Sequence, residues 1–386
     1  MLTVAVVTEN SLAADGIDQL TSETGLFNVV YKGSPKTLNI PAVLRALRTQ
    51  DPDFILLDVG DWQEVAPLAG QIRESDFRAI TIGFAPQWEA HEKFAFKDAG
   101  IEYLLREPFS AAEMEMLCYE ALHKERAVTN RNILAFLPSK AGGGSSTIAI
   151  HTAAALARCA PKNVLLVETD RRSGVYSIML GLENRLGLDD ALGLGSSMTP
   201  VEWYQHVVRV SGFHLLPANP KHRRRLPTWA DYYQLLRYVQ KQYDFILVDL
   251  PEVVNEASAE VVRSARSIFV VCTPELASIK MAHFRAGELE ACDIPGDRIH
   301  ILINRAERGG SPREDLEEIL ERPVFGVLPN DYAELKQAML ESRLASPESP
   351  FAESCLNLAR KLGGLPAAAP ERSRFALLRK LSRLAG

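Results

Sequence analysis

Cysteine is scarce in this chain. Its 386 residues hold five, Cys118, Cys159, Cys272, Cys292 and Cys355, and none forms a C-x-x-C unit. This excludes a disulfide framework, and Cys272, inside an apolar stretch, reads as a core residue. The eight histidines show no metal-ligand spacing, and no Ser-His-Asp signature is recognisable. No stretch is apolar for long enough to span a bilayer. The start lacks a basic segment followed by an apolar run and a cleavage site, so no secretory signal is read there and a soluble cytoplasmic protein is expected. Excess positive charge is missing too. A formal net charge of −6 gives no sign of a global nucleic-acid-binding surface, although it leaves a local patch open. Internal repeats and low-complexity tracts are absent.

What is present is alternation. The length predicts about two or three domains with sizeable cores. In the first part, Leu2 to Val7, Phe27 to Tyr31, Phe54 to Leu57, Ala79 to Ile82 and Ile101 to Leu105 read as strands. Helical stretches lie between several of them, notably Ile40 to Leu47 and Ser110 to Leu122, which predicts a doubly wound α/β domain with a mostly parallel sheet. Asp58 ends the third strand, where response-regulator receivers carry their phospho-acceptor, and the first strand is followed by Glu9 and Asn10, where an acidic pair would hold Mg²⁺. Receivers have Lys-Pro after the fifth strand; here Arg106-Glu107-Pro108 puts a carboxylate in place of the lysine. A carboxylate repels a phosphoryl group that a lysine would neutralise. The fourth strand is read as ending at Gly83, where a Thr or Ser is expected. Residues 1–125 are therefore read as a degenerate receiver-like domain that serves for docking.

A lysine is also missing from a phosphate-binding loop. The usual pattern G-x-x-x-x-G-K-[ST] sends its lysine to the β- and γ-phosphates. In Ser139-Lys140-Ala141-Gly142-Gly143-Gly144-Ser145-Ser146-Thr147 that position is Ser145, while Lys140 stands at the front. The apolar run Asn132 to Leu137 precedes the loop as a strand, and Ile148 to Ala157 follows as a helix. Strand, glycine loop and helix aim backbone N–H groups and a positive helix end at a phosphate. Ser146 is placed to offer a hydroxyl to Mg²⁺. Further apolar strands end in Glu168-Thr169-Asp170 and in Asp249-Leu250-Pro251, at the usual ligand edge of a parallel sheet. Asp249 is suited to hold Mg²⁺ through water and Asp170 to orient an attacking water; helix capping is the alternative for both. Strands at Ser267 to Cys272 and Ile299 to Ile303 follow, the second ending in Asn304-Arg305, where an amide could meet a purine edge.

These segments resemble the deviant P-loop ATPases typified by MinD and ParA, whose loop reads K-G-G-x-G-K-[ST]-[ST]. The resemblance covers roughly residues 130–345. It implies ATP and Mg²⁺ as cofactors, phosphates held by Gly142, Gly143, Gly144, Ser145, Ser146 and Thr147, and Mg²⁺ held at Ser146 and Asp249. It makes Asp170 the catalytic aspartate, Asn304 the adenine contact, and Lys140 the signature lysine that crosses a homodimer interface to the partner's nucleotide. Thr273-Pro274-Glu275 matches the loop after the next strand. Ala141 and Ser145 depart from the pattern, and Ser145 implies weak hydrolysis.

A receiver-like domain before a MinD-like domain is similar to the TadZ/CpaE branch, associated with Flp/Tad pilus assembly and polar placement. The phrases Tyr243-Asp244-Phe245 to Pro251 and Arg322-Pro323-Val324-Phe325 to Tyr332 resemble that branch as well. The layout becomes 1–125 receiver-like, 126–131 connector, 132–363 MinD/ParA-like ATPase, and 364–386 linker and tail. In the tail, Leu377, Leu381 and Leu384 share a helical face flanked by Arg379, Lys380 and Arg383. Residues 372–386 thus read as a basic amphipathic segment for a membrane surface or a partner, or as a helix folded back on the ATPase domain. His222-Arg223-Arg224-Arg225 is a local basic cluster, read either as a solvated turn or as a contact for acidic lipid, nucleic acid or protein. The expected function is an ATP-binding positioning factor for a pilus or secretion machine, either free in the cytoplasm or peripheral at the inner face of the membrane or a pole. A ParA-like DNA partition ATPase, a response regulator with an ATPase output and a non-catalytic scaffold are the alternatives.

Overall fold

The structure is a computed structural model that describes residues 1–36, 40–75, 77–126, 132–159, 162–183, 186–195, 198–219 and 226–365. The loop residues 196–197, most of the connector, the basic cluster at 222–225 and the tail at 366–386 therefore lie outside the described residues. The chain divides into two compact units. One holds residues 1–131, 192–198 and 226–238; the other holds 132–191, 199–225 and 239–386.

The elements of the first half are β1 (Leu2–Val7), α1 (Ser11–Thr24), β2 (Phe27–Gly33), α2 (Ile40–Gln50), β3 (Phe54–Asp58), α3 (Trp62–Glu74), β4 (Ile80–Ala85), α4 (Glu92–Asp98), β5 (Tyr103–Arg106) and α5 (Ala111–Arg126). The strands form one parallel sheet in the order β2-β1-β3-β4-β5, a doubly wound arrangement. Alternate residues supply its two faces. Leu2, Val4, Val6, Phe54 and Leu56 pack on one side, Ala5, Val7, Ile55 and Leu57 on the other, all buried. Strands covered on both faces read as unbroken apolar runs. β4 continues past Gly83 to Ala85, and Phe84 is the residue paired with Asp58. The expectation of a strand ending at Gly83 is corrected by this register.

The second half contains β6 (Ile133–Pro138), α6 (Ser145–Cys159), β7 (Val164–Glu168), α7 (Tyr176–Met179), α8 (Leu188–Leu194), α9 (Pro200–His206), β8 (Val208–Val210), β9 (Phe213–Leu216), α10 (Trp229–Gln240), β10 (Phe245–Asp249), α11 (Glu256–Ser264), β11 (Ser267–Cys272), α12 (Leu276–Ala291), β12 (Ile299–Ala306), α13 (Arg313–Leu320), β13 (Val324–Pro329), α14 (Tyr332–Leu340) and α15 (Pro350–Leu362). An 8-stranded sheet runs β13-β12-β11-β6-β10-β7-β9-β8, parallel except for the terminal β8–β9 pair. Its glycine loop follows the interior strand β6, and its buried core gathers Leu134, Phe136, Ile148, Leu166, Leu247 and Phe269. Full burial of each such side chain stabilises the fold by about 1.5–3 kcal/mol. β8, β9 and β13 are strands that the sequence pattern does not announce, being short or proline-bounded.

The first unit contains more than the amino-terminal sequence. Trp229, Ala230 and Tyr233 of α10 belong to its core cluster with Leu2, Val4 and Phe54, and the Trp229 indole donates to Glu115 at 2.8 Å. Asp53, 4% exposed, accepts from Thr3 N at 2.8 Å and Gln234 Nε2 at 2.7 Å, and pairs with Arg237. Removing one partner of a buried pair strands the other charge. Arg237→Ala should therefore destabilise this unit by about 2–3 kcal/mol. Urea unfolding of the full chain checks this, and an unchanged midpoint contradicts it.

Candidate functional site

The carboxyl ends of β6, β7, β10, β11 and β12 bring the chemistry-bearing residues of the second unit to one edge. The loop between β6 and α6 is shaped by glycine: Gly142 and Gly144 adopt φ of 79° and 90°, a region that L side chains rarely occupy. A Cβ on Gly144 would lie 2.1 Å from Asn304 Nδ2, so a side chain there would displace that amide. Ser139 N donates to Val271 O at 2.8 Å, anchoring the loop to β11, and Ile148 N donates to Gly144 O at 3.0 Å. Helix α6 starts at Ser145, three positions earlier than the apolar pattern implies, so Ser145, Ser146 and Thr147 form its first turn. Unpaired N–H groups of a first turn are what an anion needs.

Asp249 ends β10 and is 3% exposed. Ser145 Oγ lies 3.5 Å from its Oδ1. Burial pushes its carboxyl up to about 7; a hydroxyl bond from Ser146 works against that rise, and the charge of Glu168 adds to it. A buried carboxylate compensated only by hydroxyls, those of Ser146 and Tyr176, with no cation among the causes of its shift, is a donor set that fits Mg²⁺, an oxygen-seeking cation. The ion would supply the positive charge that the carboxylate lacks.

Glu168 has a different job. It is 1% exposed and accepts backbone N–H bonds from Tyr176 at 3.0 Å and Ala218 at 2.9 Å, with Val175 as a further donor. Burial raises its pKa and these bonds oppose the rise. Glu168 thus fixes the segment after β7. Asp170, half-buried, accepts from Arg172 N at 3.0 Å and Ser173 N at 2.9 Å, so its carboxylate caps that turn. Tyr176 is fully buried, and its hydroxyl donates to Ser146 O at 3.0 Å. Sequence reading passes over Tyr176, because nothing local marks a tyrosine thirty residues from the loop.

Lys140 pairs with Glu275 at 2.9 Å, both side chains well exposed. Asn304, assigned by resemblance to a purine edge, directs its amide at the loop, donating to Gly143 O at 2.9 Å. β12 also extends beyond Asn304 to Ala306. Thr147 offers its carbonyl to His151 Nδ1 at 2.7 Å.

In the first unit, Asp58 accepts from Thr8 Oγ1 at 2.6 Å and from Gly60 N at 3.0 Å. Glu107 lies near enough for Asp58 to raise its pKa, after burial, which is the larger cause. Glu107 thus adds a second carboxylate near Asp58 at the position where a receiver has its lysine. Where a receiver carries its acidic pair, Asn10 caps α1, accepting from Leu12 N at 3.1 Å and Ala13 N at 3.3 Å, and Glu9 pairs with Lys36 at 2.7 Å. A helix cap and an ion pair thus occupy the positions that a receiver would use for metal.

A glycine loop opening a helix after an interior strand, with acidic strand ends beside it in a parallel sheet, defines a P-loop ATPase domain of the MinD/ParA class. The chain belongs to the family described as cellulose biosynthesis protein BcsQ, whose sequence model matches residues 132–350. It is 26% identical over 244 residues to the septum site-determining protein MinD of Synechocystis sp., covering 60% of this chain and 89% of that protein. A ParA family ATPase from Chlorobium tepidum has a similar structure, with a TM-score of 0.55 at 21% identity, over 59% of this chain and 98% of the other. The MinD cell division protein of Aquifex aeolicus gives a TM-score of 0.51 at 25% identity, over 61% of this chain and 98% of its own. No described helix is long and apolar enough to cross a membrane.

His151 ties α6 to the chain before α15. Its Nδ1–H donates to Thr147 O and its Nε2 accepts from Ala345 N at 2.9 Å, which is the neutral ring. Burial lowers its pKa below the ordinary 6.5. A lowered histidine binds fewer protons folded than unfolded, so its stabilisation is present above the unfolded pKa and is lost as pH falls through 6.5 toward the folded value. The melting temperature of the wild type should fall between about pH 7 and pH 5, and His151→Gln should flatten that fall. Parallel pH profiles for the two proteins would contradict it.

Proposed function

We propose that this chain is an ATP-binding positioning factor, with a MinD/ParA-type unit that forms a nucleotide-linked homodimer and hydrolyses ATP slowly. The observation that carries the reading is the glycine loop at the start of α6 with Asp249 buried beside Ser145. In this reading Gly142, Gly143, Gly144, Ser145, Ser146 and Thr147 hold the phosphates, Ser146 and Asp249 hold Mg²⁺, and Asp170 orients the attacking water. Asn304 braces the phosphate loop through Gly143 O and stands where the adenine contact is expected. Ser145 puts no charge on the transferring phosphoryl group, an electrostatic part of catalysis, and turnover is slow for that reason.

Lys140 is the residue that reaches across the dimer. Its pairing with Glu275 is an exposed one, and exposed pairs contribute little to stability. A partner's phosphate therefore competes for it readily. The cargo we assign is an assembly machine at the cell envelope, of the pilus or secretion kind, and the receiver-like unit supports this by offering a docking surface. The names of the relatives, septum site-determining and ParA family, support the broader class of positioning and partition, DNA partition included. A local basic DNA-binding face and membrane contact through 372–386 both concern segments outside the described residues.

Calorimetry of the full chain should show Mg²⁺-dependent ATP binding, and Asp249→Asn should weaken it about tenfold or more, the scale of a lost metal ligand. Light scattering should show a dimer favoured by ATP–Mg²⁺ in the wild type and weakened in Lys140→Ala. Absence of ATP binding at millimolar nucleotide by folded protein contradicts the reading. Equal mass for both proteins across a dilution series removes control by this lysine.

The first unit, in this reading, docks without phosphotransfer. Asp58 is engaged by Thr8 and opposed by Glu107, and like charges disfavour a phosphoryl group there. Intact mass measurement after incubation with a small phosphodonor should show no stoichiometric adduct. An adduct that disappears in Asp58→Ala restores the response-regulator alternative. Full chain is used because α10 shares the core of this unit, and cutting away residues 1–125 would expose that helix.

A further inference from the structure

Arg305 is held in a conformation that favours glycine. Its φ is 59°, which costs an L residue strain and is kept where something else demands it. The pairing of β12 with β13 slips between Ile303 and Ala306, so Asn304 and Arg305 leave the regular ladder. Both then turn donors to the glycine loop. Asn304 Nδ2 bonds Gly143 O and Arg305 Nη2 bonds Gly142 O, each at 2.9 Å. The loop's own charge position is Ser145, which is 4% exposed and faces Asp249.

We propose that Arg305 supplies the positive charge that Ser145 does not, delivered to the loop from β12 and fixed there by its bond to the Gly142 carbonyl. The inference rests on the ATP-binding reading and deepens it. A guanidinium is charged at every physiological pH and carries five N–H donors in a fork that matches phosphate oxygens. One donor on Gly142 sets its place and leaves the charge at the loop. Its field also reaches Glu275, the partner of Lys140. Two cations thus stand at this mouth with separate duties: Lys140 serves a partner's nucleotide, and Arg305 serves the nucleotide of its own chain. Strain at Arg305 is the counterpart of that duty. A glycine would relax the backbone and remove the charge.

The test is calorimetric titration of ATP–Mg²⁺ into full-length wild type, Arg305→Gln, Arg305→Lys, Arg305→Gly and the double variant Ser145→Lys/Arg305→Gln, each with a melting curve in the absence of nucleotide. Arg305→Gln keeps an N–H donor and loses the charge, so its Kd should rise about tenfold or more, the scale of a charge-assisted hydrogen bond. Arg305→Lys and the double variant should bind within about threefold of wild type. Arg305→Gly should bind as poorly as Arg305→Gln yet melt at the wild-type temperature or above it. Wild-type binding with Arg305→Gln within about twofold overturns this inference alone. So does a double variant no better than Arg305→Gln. A melting temperature lowered by about 4 °C or more in Arg305→Gly makes the arginine a brace for the fold and overturns it as well. Absence of ATP binding by the wild type overturns the function itself, and this inference with it.

Discussion

A buried carboxylate organises the second unit. Asp249 sits at the end of β10, whose backbone is paired on one side with β6 and on the other with β7. The strand cannot shift to expose it without breaking two ladders. Its backbone carbonyl accepts from Thr169 N at 3.0 Å and from Thr169 Oγ1 at 2.6 Å, which ties the end of β7 to the same point. The carboxylate therefore meets whatever the loop places before it, and burial makes its charge expensive without a cation or a proton. The loop, the first turn of α6, the brace at Glu168 and the fully buried Tyr176 are arranged around that one group.

The two units answer the same geometric problem in opposite ways. Each ends a parallel strand on an aspartate at the ligand edge of its sheet. In the second unit the aspartate is buried beside hydroxyls and a helix start, surroundings that favour a cation and an anion together. In the first, Asp58 is only partly buried, is already hydrogen-bonded to Thr8, and has Glu107 opposite. Strand-end carboxylates are a consequence of the doubly wound fold; what surrounds them decides whether they do chemistry. The loop of the second unit is likewise shaped from outside its own sequence, by Asn304 and Arg305 on β12, where a slip in strand pairing turns both toward it.

Much of this was legible in the chain itself. Apolar runs such as Leu2 to Val7 and Ser267 to Cys272 coincide with β1 and β11, because a strand buried on both faces needs no alternation and shows its length directly. The order of strand, glycine loop and helix placed the start of α6 within three residues. Local patterning served less well where a partner decided the outcome. β13 is a short run bounded by prolines and acquires its ladder from β12. Asn10 carries the same side chain whether it caps α1 or lies near a metal, and only the fold showed the cap.

Sequence by itself determined the alternation of elements, the identity of the phosphate loop, the absence of its lysine and the carboxylate at position 107, since each is written in residue type and short spacing. Tertiary structure alone decided that α10 packs in the core of the first unit, that Asp53 meets Gln234 and Arg237, that Tyr176 reaches Ser146, and that Arg305 stands over Gly142. Those pairs are separated by tens to nearly two hundred residues. Their meeting depends on strand order and helix packing, which no local run of side chains encodes, whereas periodicity and loop chemistry act through neighbours a few residues apart.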